Sequence, residues 1–342
     1  MKQIPVMKTV YSYLFPEVRP LVGIGSNLPY ELFLTSTSAE DAERLLAYLY
    51  RTPLKVPATP SGRVDLDSLH VPVIERVVKA YEELVPALGR FSNRYPTAGS
   101  SEGIFHLLSD LKTKGEKRIY TLRGEYEGYK EYGKAMGLET REVDPKREDL
   151  SNLEQGVWFV SNPSARDGNI IPNDFVNRLC DSGHKVIVDL AYVGSTRPFE
   201  FDVGNKNIPA VLMSFSKPYG LFRFRVGGFT FSREPVDSLF GNKWFKDIGR
   251  LLTALKVVEE VPLGSLHAKY KSAQREIIDE LNRDFSLGIH ASDALLLGYL
   301  TEEDSARLTQ EQTELVKEFQ RGGFHRFCLT PIYERFEREG RL

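Results

Sequence analysis

Apolar residues recur at Val73, Ile74, Val77, Val78, Tyr81, Leu84 and Val85, an i, i+3, i+4 spacing that predicts an amphipathic helix within 71–88. The rhythm then changes. From about residue 95 to 235, short β-rich runs stand apart: RIYTL (118–122), VWFV (157–160), VIVDL (186–190), AVLMSF (210–215) and RVGGFTF (225–231). Helical patterns at 101–113, 125–136 and 173–182 fill several gaps. Strands separated by helices predict βαβ units around a largely parallel sheet. Beyond residue 240 the pattern is helical over roughly 241–260, 264–284 and 302–320. The last of these opens on Thr301 and Asp304, a variant capping box, and ends at Gly322-Gly323. A β-type run, HRFCLT, fills 325–330. Pro5, Pro16, Pro20 and Pro29 interrupt the first forty residues, which we expect to pack on the C-terminal piece. The expected organisation is a large α/β domain over 41–238 and a smaller α+β domain made of 1–40 and 239–342.

Composition narrows the function classes. The chain of 342 residues carries 45 basic and 47 acidic side chains, a formal charge of −2, which argues against a nucleic-acid binder held by a basic face. No stretch approaches the ~18 apolar residues of a membrane span. The N-terminus lacks the apolar core and cleavage site of a signal peptide, so a cytoplasmic location is expected. Cys180 and Cys328 form no CxxC pair, and the six histidines show no HxH or HExxH spacing, so no metal site is expected. Gly23-Ile24-Gly25 begins like a dinucleotide fingerprint, but Leu28 stands where its third glycine belongs. No GxxxxGK[ST] phosphate loop occurs.

The informative segment is Ser214-Phe215-Ser216-Lys217-Pro218-Tyr219-Gly220-Leu221, followed by Arg225 and Gly227. Two serines and an arginine are groups that surround a phosphate. A lysine among them is placed to form a Schiff base with an aldehyde held by that phosphate. In Thr97-Ala98-Gly99-Ser100-Ser101, a glycine-serine turn opens a helix, and a helix N-terminus with hydroxyls binds anions.

Residues 214–227 resemble the S-x-S-K-x-x-G-L-x-x-x-R-x-G signature of fold-type I pyridoxal-phosphate enzymes, specifically the class I/II aminotransferases. The likeness extends from about residue 20 to 330. It implies a three-layer α/β/α large domain with a mainly parallel sheet, aspartate aminotransferase-like, plus the smaller α+β domain. It implies pyridoxal 5'-phosphate as cofactor, no metal, and a homodimer acting on a small amino acid and a 2-oxo acid through a Lys217 Schiff base. By the same resemblance Gly99, Ser100, Ser101, Ser214, Ser216 and Arg225 cradle the cofactor phosphate. Tyr126, in Gly124-Glu125-Tyr126-Glu127-Gly128-Tyr129, stacks on its ring. Asp189, in VIVDLAY, pairs with its pyridine nitrogen, and Tyr192 hydrogen-bonds its phenolic oxygen. Arg326 binds the substrate carboxylate, with Arg335 and Arg338 as competitors. Catalysis falls to Lys217, Asp189 and Tyr192.

The chain departs from the family pattern in places. Gly124 replaces a proline. In Asn162-Pro163-Ser164-Ala165-Arg166-Asp167-Gly168 the cofactor asparagine falls on Ala165, so only a shifted loop lets Asn162 serve. That change leaves open a pyridoxal-phosphate lyase, cyclase or oxidase acting on an amino acid, and, last in rank, a non-catalytic cofactor-binding protein.

Overall fold

The computed structural model describes residues 3–8, 13–22, 43, 47, 70–222, 227–242 and 248–342. Its centre is a seven-stranded sheet of β1 (Asn93–Thr97), β2 (Arg118–Leu122), β3 (Glu139–Val143), β4 (Val157–Ser161), β5 (Lys185–Asp189), β6 (Ala210–Ser214) and β7 (Gly228–Ser232), in the order β1-β7-β6-β5-β4-β2-β3. Strands β3, β2, β4, β5 and β6 run parallel. β7 runs antiparallel to both of its neighbours.

The central strands are apolar at nearly every position because both faces of the sheet are covered. Val157, Phe159, Ile187 and Leu212 point to one face, packing with Ile104, Leu107 and Leu108 of α2 (Ser100–Thr113) and Tyr129 of α3 (Glu127–Ala135). Trp158, Val160, Val186, Val188 and Val211 point to the other. There they join Val73 and Val77 of α1 (His70–Tyr81), Val176 and Leu179 of α4 (Asn173–Asp181), and Leu255 of α6 (Ile248–Glu260). A short α5 (Asp237–Asn242) precedes α6. Each buried Val, Leu or Ile stabilises the layers by roughly 1.5–3 kcal/mol.

A second, antiparallel sheet has the order β10-β11-β9-β8, from β8 (His290–Ala291), β9 (Leu297–Leu300), β10 (Gln320–Arg321) and β11 (Phe324–Cys328). The long helix α7 (Ser265–Phe285) packs against it through Ile277, Ile278 and Leu281. Met7 bridges Cys328 of β11 through two backbone hydrogen bonds of 3.0 and 2.8 Å. Tyr13 and Phe15 pack on Tyr333 of α10 (Thr330–Arg338) and on Tyr270 of α7. The described N-terminal residues therefore lie on the C-terminal piece.

Three differences from the sequence expectations have physical causes. The pattern over 302–320 is not one helix. It divides into α8 (Glu302–Ser305), α9 (Gln310–Val316) and a 3-10 turn, because Thr309 and Gln312 form a second capping box that starts a new helix. β1 and β3 carry no apolar run; both are edge strands, where the proline in NRYPT and the charges in ETREV are tolerated. The helix expected over 71–88 ends at Tyr81, ahead of Pro86 and of Ala87 at φ 69°. None of the described helices is long and apolar enough to cross a membrane.

Candidate active site

The carboxyl ends of β4, β5 and β6 converge with the N-termini of α2 and α3, and the β10–β11 hairpin faces them. Between them lies a cavity of about 350 Å³. Ligands bind α/β sheets at this carboxyl edge. Ser100 and Ser101 line the cavity, as do Tyr126, Asp189, Tyr192, Lys217 and Arg326, all expected from the sequence.

Lys217 follows β6 by three residues, and its Nζ stands 5.5 Å from the Tyr192 ring centroid and 5.6 Å from that of Phe222. Burial, reinforced by the charge of Arg326, lowers its pKa to about 7, while Asp189 pulls the other way. A substantial fraction of the amine is thus neutral at neutral pH. Asp189 ends β5. Its Oδ2 accepts from Tyr129 Oη at 3.0 Å and its Oδ1 from the Ala191 amide at 3.1 Å. Burial raises its pKa to about 6, against the pull of those two bonds and of Lys217. The carboxylate is mostly ionised at pH 7.

The α2 end is shaped by backbone. Gly99 sits at φ 130° just before the helix, and β7 presses on it: a Cβ on Gly228 would stand 3.1 Å from Gly99 Cα and 2.1 Å from the Met213 carbonyl. Ser214 Oγ accepts from the Ser216 amide at 3.2 Å, and would lie 3.7 Å from a Cβ on Gly99. Ser214 and Ser216 therefore stand beside the helix start that bears Ser100 and Ser101. Ser101 Oγ shares a 2.9 Å hydrogen bond with Tyr126 Oη. Tyr126 folds back over the start of α3 because Gly128 has no Cβ, which would fall 2.2 Å from the ring. Arg225 lies outside the described residues.

Asn162 does not reach the cavity. Its Nδ2 donates to the Ile171 carbonyl and its Oδ1 accepts from the Ile171 amide, both at 2.9 Å, in a fully buried clamp. Ala165 lines the cavity instead. The shifted loop that would bring Asn162 to a cofactor is absent, because the side chain is committed to fixing the 162–171 turn.

Several residues here went unremarked in the sequence. Glu125 is buried beneath this turn. It accepts from Ser161 Oγ and Ser164 Oγ, and from the Ala165 amide at 3.2 Å. Burial raises its pKa against those bonds. The Ala165 carbonyl in turn accepts from Arg326 Nη1, while Arg326 Nη2 donates to the Lys8 carbonyl at 3.2 Å. Arg321 is a second buried arginine at the cavity wall, 3.1 Å from the Glu127 carboxylate. Tyr129 was legible only as the second tyrosine of its segment; its role as the Asp189 partner appears once α3 and β5 are packed.

A half-buried lysine and a buried aspartate across the carboxyl edge of a doubly covered α/β sheet, with a serine-bearing helix start beside them, define a cofactor-dependent amine site. The sequence profile of the aminotransferase class I and II family matches residues 87–327, and the chain belongs to that family. Its members use pyridoxal phosphate. Histidinol-phosphate aminotransferase 1 of Trichormus variabilis is 26% identical over 186 residues, 51% of this chain and 52% of that protein. The chain thus spans about half the length of the curated relatives it matches. Among solved structures, substrate-bound BacF from Bacillus subtilis superposes with a TM-score of 0.64 at 14% identity, over 99% of this chain and 90% of that one. Aspartate aminotransferase from Thermus thermophilus with maleate gives 0.61 at 13%, over 96% and 99%. These likenesses establish the aspartate aminotransferase-like fold.

The side chains suit pyridoxal phosphate. A helix start with two hydroxyls fits a phosphate, a buried carboxylate fits a protonated ring nitrogen, and a half-buried, partly neutral amine fits an aldehyde.

Proposed function

We propose that this protein is a pyridoxal-phosphate-dependent aminotransferase that moves an amino group between an L-amino acid and a 2-oxo acid. The observation that carries the reading is Lys217, lining one cavity with Asp189 and Arg326. Bound pyridoxal phosphate supplies an aldehyde that condenses with amines and a ring that accepts electrons from the adjoining carbon. Gly99, Ser100, Ser101, Ser214, Ser216 and Arg225 hold its phosphate. Asp189 keeps its ring nitrogen protonated, and Tyr129 and the Ala191 amide fix that carboxylate. Tyr126 and Tyr192 orient the ring and its phenolic oxygen. Arg326 orients the substrate through its carboxylate, a bidentate match for a guanidinium. Lys217, with its lowered pKa, takes the proton from the substrate α-carbon and returns it, as a general base and acid must near neutral pH.

The organisation proposed with it is a large domain over 41–238, a small domain of 1–40 and 239–342, and a homodimer, on the family likeness. Cytoplasmic location rests on Cys180 and Cys328, which are buried and not disulfide-bonded.

The test has two parts. Protein given the cofactor absorbs as a pyridoxal adduct, and borohydride fixes the cofactor to Lys217, as read by peptide mass spectrometry. Colourless protein, or label on another lysine, overturns the reading. Amino acids are then screened with 2-oxoglutarate or pyruvate as acceptor. Ala165 in place of asparagine at the cavity favours one second reading, a lyase, cyclase or oxidase. Amino-acid consumption without amino transfer, or with oxygen uptake, selects it.

A further inference from the structure

Among the described residues, two guanidinium groups face the Lys217 cavity, and they are not equivalent. Arg326 is bound to backbone carbonyls of Ala165 and Lys8. Arg321 is ion-paired with Glu127 at 3.1 Å. The Arg321 side chain is 5% exposed and that of Glu127 57%, so the arginine is the fixed member and the carboxylate the one that meets solvent. The backbone locks the arginine further: β10 lies so close to Gly124 that a Cβ there would stand 2.6 Å from the Arg321 carbonyl. Glu127 is the first residue of α3.

The pair separates two cavities. Glu127 and Arg321 line the Lys217 cavity and also a neighbouring one of about 240 Å³, which carries Glu131 and Glu142. A buried guanidinium standing alone would recruit a second anionic group on the substrate. Here its charge is already matched, and further carboxylates stand behind it. A second substrate carboxylate or phosphate must displace Glu127 or lie against it, and like-charge juxtaposition is a strong device for excluding a ligand.

We propose that Glu127 is a specificity-determining residue: by pairing with Arg321 at the cavity wall, it restricts the site to substrates whose only negative charge is the α-carboxylate. The side-chain subsite then takes neutral side chains. The substrate language rests on the aminotransferase reading, but the pair itself is open to a test by anion binding alone.

The probes are propionate and succinate, which differ by one carboxylate, titrated into cofactor-loaded protein by calorimetry and by the cofactor absorption band. Wild-type protein binds succinate no tighter than propionate. In Glu127→Gln the succinate-to-propionate affinity ratio rises by roughly tenfold or more, the scale of one charge partner freed in a partly buried site. Glu127→Ala does the same, and Arg321→Gln added to Glu127→Gln removes the gain. The specificity of 2-oxoglutarate over pyruvate in kcat/KM moves in parallel. An unchanged ratio in both Glu127 variants, a gain that survives loss of Arg321, or no anion binding at all overturns the proposal. Should wild-type protein transfer no amino group, the functional reading falls, while the binding ratio still decides the role of Glu127.

Discussion

The cavity has two walls made in different ways. The wall of the seven-stranded sheet is assembled from backbone devices: the ends of β5 and β6, the start of α2, and glycines at 99 and 228 where chains approach closely. The opposite wall, formed by the β10–β11 hairpin and the 162–168 turn, is held by side-chain networks. Glu125 secures Ser161, Ser164 and Ala165, Ala165 seats Arg326, Arg166 lies 4.3 Å over the Phe324 ring, and Glu127 pairs with Arg321. A wall made by backbone tolerates few changes and fixes the chemistry. A wall made by side chains can be retuned by single substitutions, and it is where this chain departs from its family pattern.

Substitutions in the first wall are therefore expected to abolish function or shift stability most. Lys217→Ala removes the only lysine in the cavity lining among the described residues, and amino transfer falls by roughly 10³-fold or more, measured in single-turnover assays. A variant within tenfold of wild type would break the assignment of the chemistry to this wall.

Asp189→Asn tests the same wall through stability. The folded pKa of Asp189 is raised to about 6 from 3.8, so between those values the folded protein binds more protons than the unfolded chain. Its contribution to stability is therefore greatest below about pH 4 and is lost as pH rises through 6. That rise corresponds to about 3 kcal/mol. Denaturant titrations of cofactor-free protein across pH 4–7 should show this fall in wild type and a flatter profile in Asp189→Asn. Parallel profiles would refute it.

The same division explains what could be read in the sequence. The parallel core was legible because strands buried on both faces must be apolar throughout, as VIVDL and AVLMSF are. Lys217, Asp189 and the Gly99-Ser100-Ser101 turn were legible because each sits at a fixed offset from such a strand or from a helix start. The edge strands were not, since NRYPT and ETREV follow no burial pattern. Asn162 was misplaced because a sequence shows an asparagine beside proline and not that Ile171, nine residues on, closes both of its amide atoms. Glu125 and Glu127 stand in the sequence simply as the neighbours of Tyr126. Only packing puts the first beneath the 162–168 turn and the second against an arginine almost two hundred residues away.

On the second wall, Arg326→Gln is expected to raise KM for the amino substrate far more than it lowers kcat, with kcat/KM down by roughly 30–100-fold, the worth of a charge-assisted pair. An equal fall in kcat would move Arg326 from binding to the chemical step.

The smallest expected effect is the sharpest test of how the two walls are joined. Glu125→Gln keeps the shape and one of the two acceptor oxygens, whereas Glu125→Ala leaves the Ser161 and Ser164 hydroxyls without their buried acceptor and the Ala165 amide with its 2.7 Å bond to Ser161 Oγ alone. The expected loss of stability is under about 1 kcal/mol for glutamine and about 2 kcal/mol for alanine, read from denaturant midpoints. If Glu125 served folding alone, both variants would keep wild-type KM once folded. Because the Ala165 carbonyl is the seat of Arg326, Glu125→Ala should instead raise KM by several-fold with kcat less affected, and Glu125→Gln should restore it. That split between KM and kcat, recovered by the conservative variant, separates a carboxylate that positions the arginine from one that merely fills space beneath the turn.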